Sequence, residues 1–240
     1  MIKEAIDRIL ELQQPITVKV NGEEYSTVRL NRVPREMQAE PLQVSTLSSL
    51  VQYITKFQET KKKVAYLVHV IDPTTVKFLS GLDGDRERET LMVARAETPK
   101  IPFGSFIDNE TMLIAVQSMF IDDPNTDRAA VLKFAGTVTA GSVKEYGDDG
   151  VTQKATIKQG VASKAEAIVP SPCVLRPFRT FAEVEQPESQ FIFRMKEGRD
   201  EEVLSALYEA DGGAWKNQAR ANICAYLTDA LKGTGITIIS

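Results

Sequence analysis

One histidine, one tryptophan and two cysteines among 240 residues close off several kinds of chemistry. Cys173 and Cys224 lie far apart and belong to no CxxC or Cys/His grouping, so they read as reduced, partly buried thiols and not as a disulfide framework or zinc site. His69 sits inside an apolar stretch, where a core or sheet-face role fits better than that of general base or metal ligand. No run approaches the roughly 18 apolar residues a membrane span needs. Residues 1–14 scatter acids among apolar side chains and lack the apolar core of a signal peptide, so a cytoplasmic location with no membrane partner is expected. There is no P-loop, dinucleotide fingerprint or GxSxG, and nothing implies a cofactor. A large excess of positive charge is also missing. The formal net charge of −4 argues against a protein whose main task is coating nucleic acid, although a local basic strip is compatible with it.

What is present is an ordinary globular composition, 42% hydrophobic and 26% charged. The periodicity alternates between helix and strand. Apolar residues at helical spacing predict a short helix over 2–12, and the alternation of Ile16, Val18 and Val20 before Asn21-Gly22 predicts a hairpin over 16–30. Ser45 or Thr46 is placed to cap a helix bearing Leu47, Leu50, Val51, Ile54 and Phe57. Strands are expected at 64–71, 74–79 and 90–96, and helices at 109–120 and 125–135, the second opening at Pro124. From Gly136 onward strands dominate, at 136–146, 151–157, 161–168, 173–175, 191–194 and 203–208. A last helix over 214–231 follows the Asp211 cap, with a buried stripe of Trp215, Ala219, Ile223, Tyr226 or Leu227, and Ala230, and a short strand closes the chain at 236–239. The expected fold is α+β, mostly antiparallel sheet with amphipathic helices and the C-terminal helix packed on the sheet. It divides into a mixed region 1–135 and a β-rich region 136–240, or forms a single domain.

The stretch 169–215 concentrates the candidates for function. Arg176, Phe178, Arg179 and Phe181, with Arg194 and Lys196, mix guanidinium groups with aromatic rings, as a surface that stacks bases and pairs phosphates does. The same residues fit a proline-bent segment whose phenylalanines enter the core while its arginines pair with Glu183, Glu185 or Glu188. Glu209 and Asp211, with Glu183, Glu185, Asp148 and Asp149, form a weaker candidate for magnesium. Against it, Asp211 suits a helix cap and Asp148-Asp149 a turn.

The words TLSSLVQYITKF, FIDNETMLIAVQSMFI, RPFRTFAEVEQPESQFIFRM and ALYEADGGAW, in that order, resemble phage and prophage proteins of the YfdQ-like type over residues 45–231. The resemblance implies a phage or prophage origin and brings no catalytic motif. The expected function is a non-enzymatic, phage-encoded binding protein, a homo-oligomer that binds a host or phage macromolecule or sequesters a nucleotide-type ligand. Two alternatives stand beside it, a single-stranded nucleic-acid protein of phage replication or recombination and a metal-dependent phosphodiesterase or nuclease.

Overall fold

The computed structural model describes residues 2–12, 15–27, 38–57, 65–84, 86–138, 143–148, 153–159, 163–168, 171–199 and 202–240. They form five helices and fourteen strands in two compact units, Met1–Gln38 and Ala39–Ser240. The first unit holds helix α1 (Ile2–Leu12) and a hairpin of β1 (Thr17–Val20) and β2 (Glu23–Ser26). Asn21 and Gly22 turn the hairpin at φ 54° and 88°. Two consecutive left-handed residues are what a tight hairpin turn requires, and Asn-Gly tolerates them best. Residues 28–30 of the expected second strand lie outside the described residues.

The second unit runs β3 (Leu42–Val44), α2 (Leu47–Lys56), β4 (Tyr66–Asp72), β5 (Thr75–Ser80) and β6 (Thr90–Arg95). It continues with β7 (Ile107–Asp108), α3 (Asn109–Met119), α4 (Arg128–Thr137), β8 (Val143–Asp148), β9 (Gln153–Gln159) and β10 (Ser163–Ile168). The last elements are β11 (Cys173–Leu175), β12 (Ser189–Glu197), β13 (Val203–Glu209), α5 (Trp215–Ala230) and β14 (Thr237–Ile239). Three sheets result, ordered β14-β4-β5-β6-β3, β11-β12-β13-β7 and β10-β9-β8. All pairings are antiparallel except β14 on β4 and β3 on β6. The α+β expectation is therefore met.

Two cores hold this unit together. In β5, Val76 and Phe78 point inward and meet Leu47, Leu50 and Tyr53 of α2 and Ile223 and Leu227 of α5. Strand β12 buries Phe191, Phe193 and Met195 at alternate positions against Met112 and Val116 of α3 and Val131 and Phe134 of α4. Each core mixes segments from before and after residue 135, so the halves distinguished by composition are interleaved in space.

Helix starts follow local chemistry. Thr46 accepts the Ser49 N–H at 3.2 Å and Asp108 the Thr111 N–H at 2.8 Å, satisfying amides that the first turn leaves free. Three expectations need correction. Helix α4 begins at Arg128, beyond Pro124, because the Asp123 carboxylate accepts the Asn125 N–H and the Asp123 carbonyl the Thr126 N–H. These bonds hold the expected first turn as a non-helical turn. The first residues of the strand expected from Gly136 belong to helix, since α4 continues to Thr137; residues 139–142 lie outside the described ones, and β8 is Val143–Asp148. On α5 the buried stripe is Ala219, Ile223 and Leu227, continued by Leu231; Ala230 is exposed and Trp215 half-buried. Residue 64 of the strand expected at 64–71 lies outside the described residues, as does Asp149 of the expected turn after β8.

Candidate functional site

The segment between β11 and β12 is a loop closed by one buried amide. Gln186 Oε1 accepts the N–H groups of Arg179 and Thr180 at 2.9 and 3.1 Å, and its Nε2 donates to the carbonyls of Phe181 and Val184 at 2.9 and 3.3 Å. Four backbone groups that could not reach water are thereby satisfied by one side chain, which is why a polar residue is tolerated there. Phe181 and Val184 enter the core under β5. Thr180 donates from its hydroxyl to the Pro73 carbonyl, and Glu183 accepts the Ser48 N–H at 3.0 Å in the first turn of α2, where a carboxylate also complements the helix dipole. The loop is thus fastened at both ends.

Of the arginine and aromatic candidates, the fold draws together Arg176, Arg179 and their acidic partners but separates the rings. Phe181 is 1% exposed, whereas Phe178 is 39% exposed. Arg179 is buried, with its guanidinium 4.0 Å from the centre of the Trp215 ring and 5.7 Å from that of Phe191. Its Nη1 donates to Glu209 Oε1 at 2.6 Å and its Nη2 to the Ser189 hydroxyl. Burial brings its pKa down to about 10 against the opposing pull of Glu209 and Asp211, so it stays a cation at neutral pH. Arg194 and Lys196 stand on β12; the Lys196 ammonium lies 4.2 Å from the Phe106 ring centre.

Arg176 is half-buried. Its guanidinium meets Asp123 at 3.0 Å, Glu188 at 3.4 Å and Glu185 at 3.6 Å. The carboxylates that could have held magnesium are engaged otherwise. Glu209 pairs with Arg179. Asp211 accepts the N–H groups of Gly213 and Trp215 at 2.9 and 3.2 Å; the N-cap position of α5 is Ala214, so Asp211 satisfies the first helical amide from the turn before the cap. Among the described residues, no group of three or more histidine, cysteine or acidic side chains could hold a metal ion. Cys173 and Cys224 are free, and burial pushes the Cys173 thiol up to about 12, an inert core thiol. His69 stands half-buried in β4.

Beside Arg176 lies a groove of about 570 Å³ between the 185–190 segment and the first turns of α5, within the range of small-ligand sites. Glu185, Glu188 and Asp211 line it together with Arg176, Trp215 and the amides of Gln190, Gln218 and Asn222. Asn222 also donates to the Glu185 carbonyl at 2.8 Å, fixing the width at one point. Two donors in its wall are unused: among the described residues no acceptor reaches Arg176 Nε or Trp215 Nε1, both shielded from solvent. No family model, curated protein or solved structure matches the chain. What the site does is therefore argued from its own chemistry.

Sequence reasoning singled out Arg176 and Asp211 but missed Gln186, Ser189, Gln218 and Asn222. The short polar word EQPES carried a signal only in its internal Pro187 and in Phe191 just beyond it. The Asp211 carboxylate carries a prediction. Burial by itself would raise its pKa, but the Gly213 N–H, the Ser189 hydroxyl, the Trp215 N–H and the Arg179 charge together hold it below the usual carboxylate range. A carboxylate with a lowered folded-state pKa stabilises the fold above the ordinary range, and that stability is lost as pH falls through the folded value. Thermal unfolding midpoints are expected to drop below about pH 4, and Asp211→Asn to flatten that drop while lowering the midpoint at neutral pH.

Proposed function

We propose that the chain is a non-enzymatic binding protein of phage type, and that the groove beside Arg176 takes an extended basic segment of a partner protein. The observation that carries this reading is the charge of the groove's lining. Glu185, Glu188 and Asp211 outnumber Arg176, and the arginine is already neutralised by three carboxylates. A phosphate would meet net negative charge there, whereas a peptide offers carbonyl acceptors, N–H donors for the amides, and lysine or arginine side chains for the acids. The phage assignment draws on the YfdQ-like wording of residues 45–231.

Trp215 is the only tryptophan, so intrinsic fluorescence reads this groove directly. Titrating the protein with short lysine- and arginine-containing peptides is expected to give a saturable change in emission that weakens at least ~10-fold in Glu188→Lys and with added salt. Equal response to matched acidic peptides, or none to basic ones, would overturn the peptide reading. A salt-sensitive response to oligothymidylate that disappears in Arg176→Ala would instead favour the single-stranded nucleic-acid alternative.

A further inference from the structure

Three carboxylates converge on Arg176, and they are not equivalent. Asp123 lies in the turn before α4 and is no part of the groove's lining. Its Oδ1 accepts the Asn125 N–H at 2.8 Å and the Asn125 side-chain amide at 3.0 Å, while its Oδ2 meets Arg176 Nη1 at 3.0 Å. With its side chain only 14% exposed, Asp123 is held in place by its own turn. Glu185 and Glu188 do line the groove. Their contacts are longer, 3.6 Å from Nη1 and 3.4 Å from Nη2, and their side chains are 71% and 57% exposed. Ion pairs open to water contribute little and are screened by salt, whereas a shorter pair withdrawn from water is held more firmly. The Arg176 guanidinium is thus anchored at Asp123 and leans on the two glutamates.

The backbone that carries the glutamates is fixed. Pro187 stands between them, the neighbouring Gln186 side chain is bonded to four backbone groups, and the Asn222 amide donates to the Glu185 carbonyl at 2.8 Å. The two acids therefore form a subsite that already displays an occupant, with one nitrogen of the Arg176 fork toward each. That occupant belongs to the chain itself. A ligand cation entering the groove has to take Glu185 and Glu188 from Arg176, and only the two weak pairs oppose it.

We infer that Arg176 is a tethered internal occupant of the groove's acidic subsite, and that an arginine side chain of the partner segment displaces it from Glu185 and Glu188 while Asp123 retains it, an assignment that rests on the peptide reading of the groove. A guanidinium is favoured over an ammonium because a planar fork reaches both carboxylates at once, as Arg176 does, whereas an ammonium is a single point of charge. Arg176 is then a positioning residue. It makes no bond to the partner but sets the strength of charge with which the partner must compete.

The test follows Trp215 emission of the full chain during titration with a short arginine-containing peptide and with its lysine-matched counterpart. Wild type is expected to bind the arginine peptide more tightly of the two. Arg176→Gln is expected to bind the arginine peptide roughly 5-fold more tightly than wild type does, because two exposed ion pairs no longer compete; a damaged fold does not produce such a gain. Asp123→Asn keeps an oxygen for the Asn125 N–H but loses the anchor, so Arg176 settles on the glutamates and binding is expected to fall roughly 3-fold. In the double variant the Asp123→Asn effect is expected to vanish, since it acts through Arg176. Equal or weaker binding by Arg176→Gln, unchanged or tighter binding by Asp123→Asn, an Asp123→Asn effect that persists without Arg176, or equal affinity for the two peptides would overturn the inference and leave the peptide groove standing. If neither wild type nor Arg176→Gln responds to either peptide, the groove reading falls and the inference falls with it.

Discussion

Phe181→Ala is expected to destabilise the protein by about 4 kcal/mol, whereas Phe178→Ala, three residues earlier, is expected to cost about 1 kcal/mol or less. Both rings belong to the same short segment and have the same chemistry, so the difference isolates burial. Phe181 is 1% exposed and packs into the core with Val184 beneath the sheet that contains β5. Removing its ring leaves a cavity that the Gln186-clamped loop cannot collapse to fill, because four backbone bonds hold that loop in place. Phe178 is 39% exposed, and its backbone, bonded to the Met119 carbonyl at 2.9 Å, stays in place without the ring. Denaturant unfolding of the two single variants measures the gap. Equal losses would mean that Phe178 is covered in solution by something that the isolated chain does not supply.

The second large effect comes from charge. Glu209→Ala is expected to cost about 2 kcal/mol and Arg179→Met less than about 1 kcal/mol, although each removes one end of the same 2.6 Å ion pair. The asymmetry follows from exposure: the Arg179 side chain is 7% exposed and that of Glu209 37%. Without the acid, a buried guanidinium keeps Asp211, the Ser189 hydroxyl and the faces of Trp215 and Phe191, which together do not replace a 2.6 Å carboxylate in offsetting its lost hydration. Without the base, Glu209 turns to water, and methionine still fills the space over Trp215. The pair is partly screened at its exposed end, which is why the cost is set below that of a fully buried pair. In the double variant, Arg179→Met is expected to restore most of what Glu209→Ala loses, read as the coupling in a double-mutant cycle. Additive losses would show that the stacking on Trp215, and not the charge, is what Arg179 contributes.

These two residues also show how far the sequence could be read. The segment 176–181 was legible as either an open platform or a bent loop with buried rings and paired arginines, and the exposures of Phe181 and Arg179 match the second. Pairing of Arg176 with Glu185 and Glu188 was within reach because all three sit within a dozen residues. Its shortest partner, Asp123, was not, since it is brought there by the turn before α4. The pairing of Arg179 with Glu209 depends on the register in which β12 meets β13, where Phe191 faces Glu209, and local pattern does not specify register between distant segments. The strands that went unread, β3 and β7, are three and two residues long, too short to show alternation. Elements that repeat their own period, such as α2, β5 and β12, were placed because each turn or pair of residues repeats the same burial, but their ends were not: Phe57, expected on the α2 stripe, is exposed beyond the helix, and β12 extends from Ser189 to Glu197 past the expected 191–194.

The interleaving of segments in residues 39–240 governs the order in which the molecule can assemble. Leu47 and Leu227 share a core although they lie near opposite ends of that stretch, and the sheet beside them is bordered by β3 from its beginning and β14 from its end. Neither core closes until remote parts of the chain have met, so the entropy of joining them is spent before most apolar contacts form. A growing chain on the ribosome therefore carries α2 and β4–β6 as unfinished, sticky surface until α5 emerges, and acquisition of native structure is a late, concerted event.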